Sequence, residues 1–182
     1  MKISGKEELI RIALDLMAEE GYAALTMSRL GEEAGLSKAS LYHYWKAKEE
    51  ILEDIYDSGH KNLMKKGFRL NLKGSTEEVL LNAASHWEEI FTDEENYPYL
   101  RFIFSMHLTD EKAQEEYRSL TLMLHSQAQV IIESFGIDRL YTQILTELFS
   151  SLLFTRMEKV LEGEEINLQS DVKSFALLIG TR

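Results

Sequence analysis

The chain has 182 residues, 45% of them hydrophobic, so it is long enough to bury a sizeable core. It contains one proline and no cysteine, which favours long helices and excludes a disulfide framework, a cysteine-ligated metal and a thiol nucleophile. The net charge of −11 argues at first against a polyanionic partner. The sequence has no apolar run of about 18 residues, so we expect no membrane partner and a cytoplasmic location.

The negative charge is confined to the second part of the chain. Residues 1–73 carry 12 Lys/Arg and 12 Asp/Glu, whereas residues 75–182 carry 8 Lys/Arg and 19 Asp/Glu. Because salt screens charges beyond about 8–10 Å, a partner responds to the local potential and not to the total. The neutral first part, with Lys38, Lys46 and Lys48 close together, therefore remains compatible with DNA.

Two amphipathic helices are predicted near the N-terminus. Apolar residues recur at helical spacing from about Lys6 to Glu20, and Gly21 ends this first helix. Thr26 is a suitable N-cap for a second helix over about Met27–Ala34.

The stretch from Gly35 to Leu52 combines a turn, a cap and a short helix. Gly35 permits the left-handed backbone that ends helix two, and Ser37 can cap a third helix from Lys38 to about Tyr44. That helix, about 10 Å long, is too short to be stable alone, so packing must hold it. The helical wheel predicts an inward side of Leu41, Tyr44 and Trp45 and an outward side of Ala39, Tyr42 and His43. A short supported helix with polar-aromatic tips and flanking lysines suits a DNA major groove.

The remainder of the chain predicts six further helices and no strand, hence an all-α fold of about nine helices. Helix four runs from about Lys48 to Leu70, with Gly59 and Gly67 predicting a bend or an early end. Residues 71–75 form the boundary. The predicted later helices are a capping-box helix from Ser75 and Glu78 to about Phe91, one from Pro98 to His107, one over Asp110–Phe135 capped by Thr109, one from Asp138 to about Leu161, and one over Leu168–Ile179.

Several short motifs follow one another in the first 52 residues. They are Glu19-Glu20-Gly21-Tyr22, Thr26-Met27, Leu30 to Ala34 before Gly35-Leu36-Ser37, Leu41-Tyr42-His43-Tyr44 and Lys48-Glu49-Glu50-Ile51-Leu52. In this order and spacing, residues from about Glu7 to Leu52 resemble the DNA-binding domain of TetR-family transcriptional regulators.

The resemblance implies a two-part architecture and a function. It implies an N-terminal three-helix helix-turn-helix domain over residues 1–48, helix four (about 48–70) as connector, and a C-terminal helical ligand-binding and dimerisation domain over residues 75–182. The implied function is sequence-specific DNA binding in transcription regulation. By family precedent the chain would be a ligand-responsive repressor that acts as a homodimer on a palindromic operator in double-stranded DNA.

Candidate DNA contacts divide by role. The resemblance assigns Lys48 to a phosphate and Tyr42 to a phosphate or base edge. The third helix would be the reading helix, the one that enters the major groove, and its first residues are expected to contact bases. The first residues of helix two are expected to contact phosphate. The full set is Thr26, Ser28, Arg29, Ser37, Lys38, Ala39, Ser40, Tyr42, His43 and Lys48. Ala47 departs from the polar N-cap frequent in the family, which costs helix four about 1 kcal/mol of capping.

The dimer interface is expected on the last two helices. Large and small residues form one stripe on helix eight, and apolar residues line helix nine, so that two protomers can form a four-helix bundle. These residues are Leu140, Ile144, Leu148, Ser151, Leu152 and Thr155, followed by Phe175, Leu178 and Ile179. An intramolecular core stripe is the alternative interpretation of this pattern.

A pocket for a small-molecule effector is expected in helices five to seven. Aromatic and methionine side chains with a few polar tips make an adaptable apolar pocket, although each of them is also an ordinary core residue. The candidates are Trp87, Phe91, Phe102, Met106, His107, Tyr117, Met123 and His125. The sequence does not identify the effector.

Catalysis is not indicated. The sequence lacks a glycine-rich phosphate loop, GxSxG and HExxH. The pairs Asp57/His60 and His86/Glu89 have i, i+3 spacing, but the converging carboxylates of a helical-bundle metal site are missing. We therefore expect that the chain has no catalytic activity and binds neither a metal ion nor a cofactor. The alternative to a regulator is a helical interaction or ligand-binding protein without DNA binding.

Overall fold

The structure, a computed structural model, describes residues 5–67 and 69–180. Over those residues the chain forms nine α-helices, one 3-10 turn at Tyr22–Ala24 and no strand, which confirms the all-α fold. The helices are α1 (Lys6–Glu20), α2 (Met27–Ala34), α3 (Lys38–Leu41), α4 (Lys48–Gly67), α5 (Thr76–Thr92), α6 (Tyr97–Met106), α7 (Glu111–Ser134), α8 (Arg139–Leu161) and α9 (Leu168–Gly180). None of these described helices is long and apolar enough to cross a membrane. We call α1–α3 the head and α5–α9 the body; α4 joins them.

Most helix ends follow local chemistry that is visible in the sequence. The Thr26 hydroxyl accepts a hydrogen bond from the backbone N–H of Arg29 at 3.1 Å and caps α2, as predicted. Ser75 and Glu78 form the predicted capping box at the start of α5. Asp138 caps α8. These caps satisfy backbone N–H groups that have no partner within their own helix.

The cap of α7 differs from the prediction. Asp110 is the N-cap, and its carboxylate accepts from the N–H of Ala113 at 2.8 Å. The Thr109 hydroxyl points back instead and donates to the carbonyl of Met106 at 3.3 Å. The Thr109 hydroxyl thus bonds the end of α6 and does not cap α7. Helix α7 begins at Glu111, one residue later than predicted.

The reading helix α3 is shorter than predicted. It ends at Leu41, and residues 42–44 continue as a turn in which the Tyr44 N–H bonds the Leu41 carbonyl at 2.9 Å. Leu41 and Trp45 are 0% and 1% exposed, so the predicted inward anchors are correct. Tyr44 is 43% exposed, and its inward assignment is wrong. The tighter turn rotates successive residues by more than an α-helix does, which takes Tyr44 off the buried side.

Helix α4 runs through Gly59 and ends at Gly67. Gly59 and Gly67 are buried. A Cβ atom on Gly59 would overlap the ring of Tyr99 on α6, and one on Gly67 would lie 2.7 Å from the sulfur of Met123 on α7. The glycines therefore permit close packing of α4 against the body. The helix stops short of the predicted residue 70, since residues 69–75 form no helix, and its end at Gly67 is the early end that this glycine predicts.

The start of α4 compensates for its missing cap. Ala47 has no side-chain acceptor, but the Glu50 carboxylate accepts from the backbone N–H of Lys46 at 2.8 Å. The bond reaches one residue before the N-cap position, so it is not a capping box, but it ties the turn that leads into Lys48 to the first turn of α4.

The apolar core consists of two clusters that do not divide at the predicted domain boundary. The first contains residues of α1–α4 together with Tyr99, Phe102 and Ile103 of α6 and Ala113 of α7. The second is built from α5, α7, α8 and α9 and includes Leu63 of α4. Since α6 contributes to the core of the head, head and body are packed directly against each other as well as joined by α4.

Trp45 is fixed by polar contacts as well as by burial. Its indole N–H donates to Asp54 Oδ2 on α4 at 2.5 Å, and the Lys6 ammonium of α1 pairs with the same oxygen at 2.5 Å. Burial raises the pKa of Asp54, but the hydrogen bonds from Lys6 and Trp45 outweigh it and hold this pKa below its usual 3.8. The turn after α3 is thereby attached to both α1 and α4.

Replacing Gly59 by alanine tests the close packing of α4. Alanine has the better helix propensity by about 1 kcal/mol, but the added methyl group meets the buried Tyr99 ring, and overpacking of this kind costs about 1–3 kcal/mol. We expect Gly59→Ala to lower the free energy of unfolding, measured by urea denaturation. Asn62→Ala on the exposed side of the same helix is the control and is expected to cost nothing. An unchanged or increased stability of Gly59→Ala would contradict the packing described.

The Asp54 contacts predict a dependence of stability on pH. Because the pKa of Asp54 in the folded chain lies below the unfolded value, its contribution is complete above about pH 4 and is lost as the pH falls through the depressed pKa. We expect Asp54→Asn to be less stable than the wild type at pH 7 and the difference to shrink below pH 4 in urea titrations. Asp57→Asn, an exposed carboxylate on the same helix, is the control; an equal pH-dependent difference there would rule out this assignment.

Candidate nucleic-acid interface and regulatory surfaces

The α2–α3 turn presents one side of α3 to solvent. Gly35 has φ 62°, in the left-handed region, and the Leu36 N–H bonds the Gly31 carbonyl at 2.8 Å, which ends α2. The Ser37 hydroxyl then accepts from the Ser40 N–H at 3.1 Å and caps α3. With Leu41 buried below, the orientation of α3 is fixed by its two ends and its inner side.

Four of the predicted contact residues share this outer side. Lys38, Ala39, Tyr42 and His43 are exposed, and Tyr42 is 48% exposed. Ser37 and Ser40 lie beside them, but their hydroxyls bond each other at 2.8 Å. The structure therefore brings together a cation, a methyl group, a phenol and an imidazole, which are groups that can contact base edges and phosphates.

The predicted contacts on α2 are less uniform. Thr26 and Ser28 are exposed, although the Thr26 hydroxyl is already the cap of α2. Arg29 is surrounded by carboxylates, since its guanidinium lies 2.7 Å from Glu20, 2.9 Å from Glu33 and 3.6 Å from Glu32. Arg29 stays charged, but a phosphate would have to compete with these three carboxylates for its guanidinium in this arrangement.

Lys48 lies at the start of α4 against Tyr22, a residue that the sequence did not single out as functional. Its Nζ donates to the Tyr22 carbonyl at 2.8 Å and lies 3.6 Å from the centroid of the Tyr22 ring. Burial lowers the pKa of Lys48, while the neighbouring Glu49 acts in the opposite direction. Tyr22 follows Gly21 in the first quoted motif, which is the only signal in the sequence for this contact.

The eight candidate pocket residues do not line one common cavity. Three of them (Trp87, Phe91 and Met123) are buried in the core of the body, and Phe102 is buried in the cluster shared with the head. Met106 and Tyr117 pack at the edge of that shared cluster. The His107 ring stacks on Tyr117 with centroids 4.1 Å apart. His125 lies elsewhere, in a groove between α7 and α8.

The α7–α8 groove has a volume of about 300 Å³. It is lined by hydroxyl groups, one imidazole and two apolar side chains, namely Thr121, Leu124, His125, Ser150, Ser151, Phe154 and Thr155. Mixed linings of this kind can hold a small ligand through a few directed hydrogen bonds.

Ser150, His125 and Glu147 come close together in this groove without forming a catalytic triad. The Ser150 hydroxyl lies 3.5 Å from His125 Nδ1, and a Glu147 carboxylate oxygen lies 4.0 Å from the same nitrogen. A triad places the nucleophile and the carboxylate on opposite ring nitrogens. Both groups approach Nδ1 here, so the arrangement does not support acyl transfer.

The two histidine–carboxylate pairs noted in the sequence have other partners. His60 Nδ1 bonds Glu116 at 2.8 Å, across from α4 to α7. His86 Nε2 bonds the Lys66 carbonyl at 2.8 Å near the end of α4. Within the described residues no group of three or more metal-ligating side chains could hold a metal ion.

An apolar stripe is exposed on α8. Leu140, Ile144 and Leu148 are 66%, 52% and 50% exposed, and Ser151 and Thr155 extend the same stripe. Leu152, predicted with them, is half-buried and packs on the core of the body. An exposed apolar row on a helix is typical of an interaction surface.

The exposed surface of α9 differs from the predicted one. Phe175 and Ile179 are buried in the core of the body, so their assignment to an intermolecular surface is wrong. Leu178 is exposed as predicted, together with the neighbouring Leu177, at 57% and 67%. Phe175 faces inward because α9 packs against α5 and α8, where its ring stacks on that of Phe149.

Comparison with known proteins agrees with this geometry. Residues 6–55 match the family model described as bacterial regulatory proteins, tetR family. The chain is 24% identical to YerO of Bacillus subtilis, an uncharacterised HTH-type transcriptional regulator, over 91% of this chain and 59% of YerO. The chain thus spans about three fifths of the length of that relative. It is 35% identical to the HTH-type transcriptional repressor KstR2 of Mycolicibacterium smegmatis over 52 residues, which are 29% of this chain and 25% of KstR2.

A solved structure shares the fold over almost the whole chain. The TetR-family regulator PfmR of Thermus thermophilus superposes with a TM-score of 0.66 and 22% identity, covering 94% of this chain and 96% of PfmR. This likeness establishes the common fold. Residues 6–55 thus match the domain of TetR-family transcriptional regulators, and the whole chain has the fold of PfmR.

Proposed function

We propose that the chain is a homodimeric, ligand-responsive repressor that binds a palindromic operator in double-stranded DNA and works in the cytoplasm. The observation that carries the proposal is the solvent-exposed side of α3, held rigidly on the buried Leu41 and Trp45. A four-residue helix has no stability of its own, so the burial of Leu41 and Trp45 is what holds the exposed side of α3 in a fixed orientation.

The exposed side of α3 suits the major groove. Lys38 can donate to guanine O6 and N7, and the Ala39 methyl group can contact a thymine methyl group. Tyr42 and His43 reach either base edges or the adjacent phosphates. Lys48, at the start of α4, supplies a phosphate contact that carries no sequence information.

We infer a dimer because the α3 helix of a single head can contact only a few base pairs. A single short helix reads only a few base pairs, whereas two copies about 34–36 Å apart read successive major grooves of one face of the duplex. The exposed apolar rows on α8 and α9 support the proposal of a two-fold interface there. Selection of bound duplexes from a random pool tests this directly, because a dimer selects a site with two-fold symmetry.

Repression and its release require that ligand binding in the body changes the head. We place the effector in the body, where the α7–α8 groove contains His125 of the predicted set. The connector α4 is attached to the body at several points, including the Tyr56 hydroxyl on Asp110 at 2.6 Å and His60 on Glu116 at 2.8 Å. An effector that binds one arrangement of these helices more tightly shifts DNA affinity by that difference, commonly about 1–3 kcal/mol.

A helical ligand-binding protein without DNA binding is the second candidate. The carboxylates around Arg29 favour it, because they compete with phosphate for one cation of the head. Binding to mixed-sequence duplexes at two salt concentrations separates the two candidates. Absence of binding at about 50 mM salt, where phosphate contacts are strong, would favour the second.

Lys48→Ala and Lys38→Ala are expected to affect DNA binding differently. Lys48→Ala removes a phosphate contact, so it should weaken binding to all sequences about equally and reduce the slope of log affinity against log salt by about one unit per head. Lys38→Ala should relax the preference at one base position by about 1–3 kcal/mol. Fluorescence anisotropy over a salt series measures both. Lys61→Ala, an exposed lysine further along α4, is the control; a Lys48→Ala protein with unchanged affinity and slope would exclude the phosphate role.

The exposed α8 row predicts the oligomeric state. A glutamate at Ile144 or Leu148 places a charge in the proposed interface, and loss of a buried aliphatic side chain from each protomer costs about 3 kcal/mol or more per dimer. We expect Ile144→Glu and Leu148→Glu to raise the dimer dissociation constant at least about 100-fold in light-scattering measurements. Leu108→Glu, at a position that is 83% exposed in the turn before α7, is the control. If the α8 variants remain dimeric, the interface lies elsewhere.

A further inference from the structure

Lys48 is held by neutral groups, whereas other cations of this chain are held by carboxylates. Lys6 pairs with Asp54, and Arg29 with Glu20, Glu32 and Glu33. In the body, Lys66 pairs with Asp93 and Glu95, and Lys159 with Glu164. The partners of the Lys48 ammonium are instead the carbonyl and the ring of Tyr22.

Neutral partners fix an ammonium group without cancelling its charge. A lysine ammonium has three N–H donors, of which the Tyr22 carbonyl takes one. The ring attracts the cation through its negative face and adds no net charge. The remaining donors and the full positive charge stay available for a phosphate. A carboxylate at the same place would orient Lys48 equally well but would repel the phosphate.

The position of Tyr22 is set by the end of α1. Gly21, with φ 86°, ends that helix and directs the chain into the 3-10 turn Tyr22–Ala24. The Tyr22 carbonyl, which has two lone pairs, also accepts from the Leu25 N–H at 3.3 Å within that turn. The carbonyl that accepts the Lys48 hydrogen bond therefore belongs to a hydrogen-bonded turn. That turn fixes the position of the carbonyl without any contribution from Lys48.

The Tyr22 hydroxyl stays protonated, so the ring remains a neutral partner. Burial, followed by the nearby carboxylates of Glu49 and Asp110, raises the pKa of Tyr22 above its usual 10. At physiological pH the side chain thus adds no anion beside the ammonium.

We propose that Tyr22 is a positioning residue for DNA binding: its carbonyl and ring face hold the Lys48 ammonium at the start of α4, ready for a backbone phosphate. This inference rests on the proposed DNA-binding function and on the phosphate contact of Lys48. Lysine has a long flexible stem, and holding it before binding reduces the rotamer entropy that is lost when the phosphate contact forms.

The test is a double-mutant cycle with a conservative control. Tyr22→Leu keeps the backbone carbonyl and removes the ring, whereas Tyr22→Phe keeps both. Affinity for a mixed-sequence duplex of about 30 base pairs is measured by fluorescence anisotropy at about 50 mM salt. Loss of one cation–π contact corresponds to about two- to fivefold in affinity per head, hence about 4- to 25-fold for a dimer. We expect that loss in Tyr22→Leu, none in Tyr22→Phe, and no effect of Tyr22→Leu in the Lys48→Ala background.

A measurement without DNA covers the case in which Tyr22→Leu is poorly folded. The Lys48 ammonium nitrogen lies 3.6 Å from the centroid of the Tyr22 ring, so the ring current should shift the NMR signals of the adjoining Cε methylene protons upfield in the wild type and in Tyr22→Phe. Wild-type shifts identical to those of an exposed lysine such as Lys61 would overturn the proposal.

The possible failures are distinguishable. If Lys48→Ala weakens binding but Tyr22→Leu binds as tightly as the wild type or more tightly, the positioning role is wrong and the phosphate contact stands. The same conclusion follows if Tyr22→Leu weakens binding equally with and without Lys48. If Lys48→Ala binds like the wild type, the phosphate contact itself is wrong. If the wild type binds no duplex, the proposed regulator function and this inference both fail.

Discussion

The anchoring of the turn after α3 is the constraint on which the rest of the head depends. Leu41 and Trp45 are buried, and the indole of Trp45 donates to an Asp54 carboxylate that also binds Lys6. A four-residue helix gains almost nothing from its own hydrogen bonds, so its orientation depends on these contacts together with the Gly35 turn and the Ser37 cap at its start. The contacts among Trp45, Asp54 and Lys6 connect the start of α1, the turn after α3 and helix α4. The outer residue Tyr42 can therefore be presented to a partner in a fixed direction.

The same principle of close contact couples the head to the body. Gly59 lets the Tyr99 ring lie directly on α4, and Tyr56 and His60 of α4 bond carboxylates of the body. Phe102 of α6 belongs to the core of the head. These contacts link the head to α4 and α6. In the proposed regulator they are the route by which a rearrangement of the body would reach the turn after α3, and packed interfaces favour discrete shifts over gradual deformation.

Electrostatics in the head are arranged by local partners more than by net charge. The chain carries −11 overall, yet the Lys48 ammonium has neutral hydrogen-bond and ring partners, whereas the Arg29 guanidinium, which stays charged, is paired with three carboxylates. Two basic residues of the same head surface thus differ in what they can offer to a phosphate. Because salt screens charges farther apart than about 8–10 Å, distant carboxylates of the acidic body affect long-range approach more than the contact itself.

The sequence by itself determined what neighbours along the chain decide: the helix ends at Thr26, Gly35 and Ser75, the burial of Leu41 and Trp45, and the exposed side of α3. These features depend on residues within about one helical turn, whose geometry is regular. Tertiary structure decided the rest. Lys48 meets a carbonyl 26 residues away, Gly59 serves a ring on another helix, and Phe175 turns inward because α9 has neighbours. Helical periodicity tells which side of a helix is apolar, but only packing determines what that side touches.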